Sequence, residues 1–423
     1  MTTYKYIIRM RLISMIICLA CALFSCSDKT KVKPSELKEE ITSDLKENIL
    51  EFWGKYSPDD KDGFYGELSY DGTPNAEAKR GLVLNARILW TFSSAYRIFG
   101  DESYKALADR AQKYLLANFI DREKGGAFWS LNSDGTPADT DKQTYGISFA
   151  IYGLSEHFRA TGNQLSLDEA IYLYRTLEKY AKEPEYDGYI DSFTSDWQKP
   201  ERYGYDGKGI APKTMNTHIH VLEAYTSLYR VWKDPELASG LEALIGIVTE
   251  KMYNPQTGHL GLYFDMKWNS MEDIDSYGHD IETAWLVTEA AEVLGNSSLL
   301  KTITPKVLKM TDAALKEGLT PDGAMTYERK GNEYHRELSW WCQAETVVGC
   351  LNAWKLSGDE RYYDSAIRTW NWIKTYMIDS EYGEWYGTVS PENIPVKDGQ
   401  KCSMWRCPYH NSRMGYEVIR LLE

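Results

Sequence analysis

Apolar residues recur at i, i+3 and i+4 through a succession of paired segments, the spacing of helices that bury one face. The pairs are predicted at 80–99 and 102–118, 143–160 and 166–182, 214–232 and 236–252, 279–294 and 299–317, and 338–356 and 360–377. A helix near 35–54 and a last one near 407–422 bring the total to twelve. Between pairs the pattern switches to a Gly among turn-formers, followed by a few alternating aromatic or apolar residues. The copies are Asp62-Gly63-Phe64-Tyr65, Gly125-Gly126-Ala127-Phe128-Trp129, Asp187-Gly188-Tyr189-Ile190, Thr257-Gly258-His259-Leu260, Asp322-Gly323-Ala324-Met325 and Tyr382-Gly383-Glu384-Trp385-Tyr386. Each reads as a short hairpin.

The hairpin glycines stand 60 to 70 residues apart, a period that marks a repeat architecture. One helix pair cannot bury its own apolar face, and stacking six pairs into a closed ring removes the exposed ends. The expected fold class is therefore all-α, an (α/α)6 toroid with short β-hairpins between helix pairs. No Pro/Ser-rich linker divides the chain, so residues 35–423 are expected as a single barrel domain. The longest irregular run, Phe193 to Lys213 with Trp197, Tyr203 and Tyr205, is expected to loop over one mouth.

The N-terminus follows a different pattern. Lys5, Arg9 and Arg11 precede an apolar run from Leu12 to Phe24, too short for a membrane span, and then Ser25-Cys26. Residues 1–25 read as a lipoprotein signal peptide, Cys26 as the lipidated first residue of the mature protein, and 26–34 as a polar tether. The expected location is membrane-anchored, in the periplasm or on the outer surface of a bacterium. An ordinary signal peptide or a short N-terminal anchor is the alternative. The net charge of −14 becomes more negative once that basic leader is removed, which argues against nucleic acid or an anionic polymer as partner. Cys342, Cys350, Cys402 and Cys407 match neither a disulfide-dense scaffold nor a paired zinc motif and read as packing residues, with a Cys402–Cys407 bridge as an alternative. The chain also carries 14 Trp and 31 Tyr, rings that stack on sugar faces as well as fill cores.

Candidate chemistry is confined to the helices that directly follow a hairpin. In order these carry Arg87, Tyr145, Asn216 with His218 and His220, His279 with Glu282, Trp340 and Trp341 with Glu345, and Trp405 with His410 and Arg413. Equivalent positions in a ring point at one axial pocket. His279 and Glu282 are i,i+3, so the carboxylate is expected to hydrogen-bond the imidazole and raise its basicity. His218 and His220 lie about 200° apart around a helix, so one faces the pocket and the other the core. Trp340 reads as ordinary packing. Arg87, on an otherwise apolar helix, suits an anion or a developing negative charge. His220, His279, Glu345 and His410 are the residues a metal would use, but no established metal-ligand spacing is present. Phosphate-loop, dinucleotide and nucleophile-elbow motifs are absent, so the expectation is proton transfer with no cofactor and no metal.

The strings Lys213-Thr214-Met215-Asn216-Thr217-His218-Ile219-His220-Val221-Leu222-Glu223-Ala224-Tyr225, Tyr277-Gly278-His279-Asp280-Ile281-Glu282, Trp340-Trp341-Cys342-Gln343-Ala344-Glu345 and Trp405-Arg406-Cys407-Pro408-Tyr409-His410-Asn411 resemble the N-acylglucosamine 2-epimerase superfamily, in its cellobiose 2-epimerase branch. The resemblance covers nearly all of residues 35–423. It implies an (α/α)6 barrel, His279 and His410 as acid and base at C2 of a sugar, and a small oligosaccharide, a β-1,4-linked disaccharide, as substrate. It also implies catalytic support from Arg87, Glu282 and His220, and substrate binding by Tyr145, Asn216, Trp341, Glu345, Trp405 and Arg413. A monomer is expected. The alternatives are an aldose–ketose isomerase on the same scaffold, an (α/α)6 glycoside hydrolase, and a sugar-binding lipoprotein without activity.

Overall fold

In a computed structural model of the chain, residues 32–205, 207–397 and 399–423 are described. The predicted signal peptide, Cys26 and most of the tether lie outside them. The chain divides into a short unit ending at Leu37 and a compact unit, Lys38–Glu423.

Helix α1 (Pro34–Asp44) continues through a π-helical stretch, Leu45–Leu50, into α2 (Glu51–Tyr56). Five helix pairs follow: α3 (Leu82–Phe99) and α4 (Glu102–Tyr114), α5 (Thr144–Thr161) and α6 (Gln164–Tyr180), α7 (Met215–Val231) and α8 (Pro235–Gly246), α9 (Tyr277–Leu294) and α10 (Ser297–Gly318), α11 (Trp340–Ser357) and α12 (Glu360–Trp372). Helix α13 (His410–Leu421) ends the chain. The predicted elements are thus present within a few residues, and the last turns expected of 102–118, 236–252 and 360–377 are π-helical at Leu115–Phe119, Ile247–Met252 and Ile373–Met377.

Four helix pairs turn on a Gly-Asp or Gly-Asn dipeptide, for a simple backbone reason. Gly100, Gly162, Gly295 and Gly358 close their helices with φ near +70°, a conformation that costs glycine nothing. The next residue, Asp101, Asn163, Asn296 or Asp359, then caps the following helix by accepting a backbone N–H.

Helices α3, α5, α7, α9, α11 and α13 contact one another in that order, and α13 returns to α3, so they form a closed inner ring. Their first turns and middles are buried almost all round, Leu82 to Ala95 of α3 without a break. The partner helices α4, α6, α8, α10 and α12 pack outside, and the Leu45–Leu50 segment packs on α13. The core lies between the two layers.

The expected hairpins are single bridges: Pro58 with Phe64, Ile120 with Ala127, Lys182 with Tyr189, Tyr253 with Leu260, Leu319 with Met325, and Ile378 with Trp385. The strand before an inner helix pairs with the next module. Thus β1 (Arg80–Gly81) pairs with β2 (Ser130–Leu131), which also holds β3 (Pro137–Asp139). Likewise β4 (Lys142–Gln143) pairs with β5 (Ser192–Phe193), and β6 (Lys213–Thr214) with β7 (Tyr263–Phe264). Next, β8 (Ile274–Ser276) pairs with β9 (Glu328–Lys330), which pairs with β10 (Glu333–His335). Finally, β11 (Leu338–Ser339) pairs with β12 (Thr388–Val389), and a Leu68–Cys402 bridge joins the two ends of the series. These pairings fix where each inner helix begins.

Candidate active site

The inner helices start around a cavity of about 470 Å³. Of the residues expected there, Arg87, Tyr145, Asn216, His220, His279, Glu282, Trp341, Trp405 and His410 line it. Tyr205, Tyr327, Ser339 and Trp340 complete the lining. Trp340 is therefore not mere packing. Tyr205 arrives from the long loop, stacked on Trp129 with ring centroids 5.5 Å apart, and Trp405 beside it remains 39% exposed at the rim.

His279 and His410 both approach Trp341, their ring centroids 4.6 and 5.7 Å from it. The expected His279–Glu282 bond is not made. His279 Nδ1 instead lies 2.7 Å from Ser276 Oγ, and burial lowers its pKa to about 4. Glu282 ion-pairs with Arg413, one turn into α13, because a buried guanidinium is stable only with counter-charge around it. The histidine that does receive a carboxylate is His410, whose Nδ1 is 2.7 Å from Glu345 Oε1. Burial holds His410 well below the usual histidine range, and Glu282, 4.0 Å from its Nδ1, opposes that shift.

Two further expectations need correction. Glu345 and Arg413 do not line the cavity, so direct binding of sugar hydroxyls is not their geometry. Glu345 is 1% exposed and engaged with Trp285 Nε1, His410 and Arg413. Arg413 is held by Glu223, Glu282 and Glu345 beneath the cavity. Glu282, Glu345 and His410 converge as metal ligands would, but the cation bonded to Glu282 and Glu345 is the Arg413 guanidinium. His220 and His279 stand outside that cluster.

Glu223 was not foreseen. It accepts from Tyr409 Oη, pairs with Arg413, and lies 2.9 Å from His220 Nδ1. The signal was available: His220 and Glu223 have the same i,i+3 spacing as His279 and Glu282. Arg413 holds the Glu223 carboxyl well below the usual carboxylate range against the opposing effect of burial. With Nδ1–H given to Glu223, neutral His220 presents Nε2 to the cavity as an acceptor. His218, two residues earlier, takes the other path. Its Nε2 accepts the Tyr189 N–H at 2.9 Å and its Nδ1 donates to the Thr214 carbonyl at 2.7 Å, away from the cavity.

Arg87 is 2% exposed and, among the described residues, forms no ion pair with a carboxylate. Its guanidinium lies over the Phe149 and Tyr409 rings and donates to Tyr145 Oη at 2.8 Å. Burial raises the Tyr145 pKa to about 12, so the phenol keeps its proton at neutral pH. Because that oxygen already accepts from Arg87, its own proton is free for an acceptor in the cavity. The pair is a positive, donor-rich wall. Cys402 and Cys407 are separate buried thiols, not a disulfide, and Cys407 Sγ accepts from Arg87 at 3.6 Å.

The ring of helix pairs and the paired histidines at its axis define the class, and the family follows: the chain belongs to the N-acylglucosamine 2-epimerase (GlcNAc 2-epimerase) family, whose model matches residues 63–410. It is similar to a cellobiose 2-epimerase of Bacteroides fragilis, 44% identical over 387 residues, which span 90% of this chain and 98% of that one. A cellobiose 2-epimerase of Ruminococcus albus is 40% identical, with 91% and 98% covered. Among solved structures, the cellobiose 2-epimerase of Bacillus thermoamylovorans superposes with a TM-score of 0.88 at 36% identity, covering 91% of this chain and 99% of that one.

Proposed function

We propose that the chain inverts C2 of the reducing-end sugar of a β-1,4-linked disaccharide, converting glucose to mannose there or the reverse. The observation that carries this reading is the pair of histidines, His279 and His410, that line one cavity with Trp341 beside both rings. Inversion at carbon needs a base on one face of the opened sugar and an acid on the other, and an imidazole can be either.

His410 is the better base. Glu345 fixes its Nδ1–H, leaves the Nε2 lone pair for the C2 proton, and compensates the imidazolium that forms. His279, neutral in the free protein and protonated in the substrate complex, returns a proton to the opposite face. The resulting cis-enediolate carries negative charge on oxygen, which the Arg87–Tyr145 wall meets with hydrogen-bond donors. Trp341, Trp405 and Tyr205 offer ring faces for the two sugars, and Asn216 and His220 offer polar atoms for hydroxyls. Glu345 and Arg413 act from beneath.

A glycoside hydrolase needs two carboxylates flanking the scissile bond. The cavity lining has one, Glu282, and Arg413 holds it. Incubation with cellobiose and mannobiose in D2O, read by NMR, tests the proposal. Deuterium at C2 of an epimer supports it; a ketose without an epimer identifies an isomerase instead.

We also infer that residues 1–25 are a lipoprotein signal, that Cys26 is acylated, and that residues 35–423 act as one catalytic domain at the membrane surface. The basic, apolar, Ser25-Cys26 order supports this. Metabolic labelling with a fatty acid is expected to mark the protein and not its Cys26→Ser variant.

A further inference from the structure

The hairpin and the strand that follows it are joined by the same kind of ion pair in four of the six modules. Buried Arg80 meets Asp59, Lys142 meets Asp121, Lys213 meets Glu183, and Lys401 meets Asp379. In the first three the cation stands two residues before the inner helix. The fourth and fifth modules depart from the rule, the fifth with uncharged Thr320 and Leu338 at the two positions. In the fourth, the residue before α9 at that position is Asp275, and the hairpin residue opposite is Asn254.

The fourth hairpin contributes His259 instead. It is 2% exposed, and its Nδ1 lies 2.7 Å from Asp280 Oδ2. Its Nε2 is buried with no hydrogen-bond partner and faces Glu317 Oε2 at 3.4 Å. One ligand atom each from His259, Asp275 and Glu317 falls within 4.8 Å of the others. Arg329 bonds Asp275, but through Oδ2 by both its Nε and an Nη, which leaves Oδ1 outside that contact. The Tyr277 hydroxyl is a second buried polar atom without a partner, and after burial its strongest electrostatic neighbours are Glu317 and Asp275. The contrast with the cluster below the active site is plain. There one arginine is bonded to both carboxylates; here Arg329 holds Asp275 alone, and, among the described residues, His259 Nε2 and Glu317 have no arginine between them.

We propose that His259 Nε2, Asp275 and Glu317 form a binding site for a divalent transition-metal ion, Zn2+ or a close relative. One imidazole and two carboxylates suit such an ion, and a ligating histidine characteristically gives its other N–H to a carboxylate, as His259 does to Asp280. The ion supplies in the fourth module a positive charge at the place where lysine or arginine supplies one in four others. It ties the hairpin, strand β8 and the end of α10 together at the root of α9, where Asp280 is the neighbour of His279. The role is structural: these ligands do not line the active-site cavity.

The test uses the purified chain, stripped with a chelator and dialysed. Titration with Zn2+ by calorimetry, and with Co2+ by visible absorption, is expected to show one tight site and a raised thermal midpoint. Glu317 is 37% exposed, so Glu317→Gln is expected to fold normally while binding at least tenfold more weakly. Asp275→Asn provides a second ligand variant. Failure of the wild-type chain to take up either ion overturns the proposal, as does uptake that neither substitution weakens.

Discussion

His410 Nδ1 faces a carboxylate, Glu345, at 2.7 Å, and His279 Nδ1 faces a hydroxyl, Ser276, at the same distance. The two imidazoles of one cavity therefore differ in what stands behind them. A carboxylate fixes the tautomer and stabilises the imidazolium, so Glu345→Gln is expected to lower kcat by roughly 10²- to 10⁴-fold. Disaccharide binding, measured by calorimetry, should persist. A variant with near-normal kcat would remove Glu345 from the chemistry, and near-normal turnover in His410→Ala would remove His410 itself.

Ser276 orients the second histidine through a single neutral hydrogen bond. Ser276→Ala is expected to reduce kcat by about 3- to 10-fold with KM little changed. If Glu282 tuned His279, this substitution would be silent and Glu282→Gln would carry that effect.

Arg87 is a buried cation that, among the described residues, has no carboxylate ion pair. If it stabilises an enediolate, Arg87→Met should cost about 10²- to 10³-fold in kcat, with a smaller change in KM. Arg87→Lys keeps the charge but loses the planar fork and the stacking on Phe149 and Tyr409, so it should recover only part of the rate. Steady-state kinetics on cellobiose decides.

Arg413 answers three buried carboxylates at once. Arg413→Met leaves them without a cation and is expected to destabilise the fold by about 3–5 kcal/mol, read by urea unfolding. A stable, merely inactive variant would assign the residue to substrate instead.

Burial depresses His218 and His279, each to about 4. The unfolded chain binds protons at these sites near pH 6.5, and the folded chain refuses them until about pH 4. Their contribution is present above pH 6.5 and is lost as pH falls through that window, by about 3 kcal/mol each at most. The thermal midpoint should therefore fall between pH 6.5 and 4, with a shallower slope in His218→Phe. An unchanged slope would assign the acid lability to other groups.

The ring was legible because its evidence is periodic: hairpin glycines recur at the same point of every module, and polar clusters recur on alternate helices. The cavity residues followed from position alone. Which partner each would choose did not. Spacing of i,i+3 predicts neighbours on one helix, but Glu282 turns to Arg413 on another helix, since a buried guanidinium outweighs a local bond to a neutral imidazole. The same spacing at His220 and Glu223 does form its pair, and nothing local distinguishes the two cases. Tyr327 was beyond reach because loops carry no period; Tyr205 was legible only as part of the mouth loop, and Trp340, the first residue of α11, reads as packing although it lines the cavity.

The inner ring closes between its first helix, α3, and its last, α13. His410 opens that last helix and Arg413 lies one turn into it. During synthesis every other member of the cavity emerges before them, so the growing chain carries one histidine without its counterpart and three acidic side chains without their cation. Turnover can begin only when the final helix seats itself. Closure of the ring and completion of the histidine pair are thus a single event, the seating of α13 against α3.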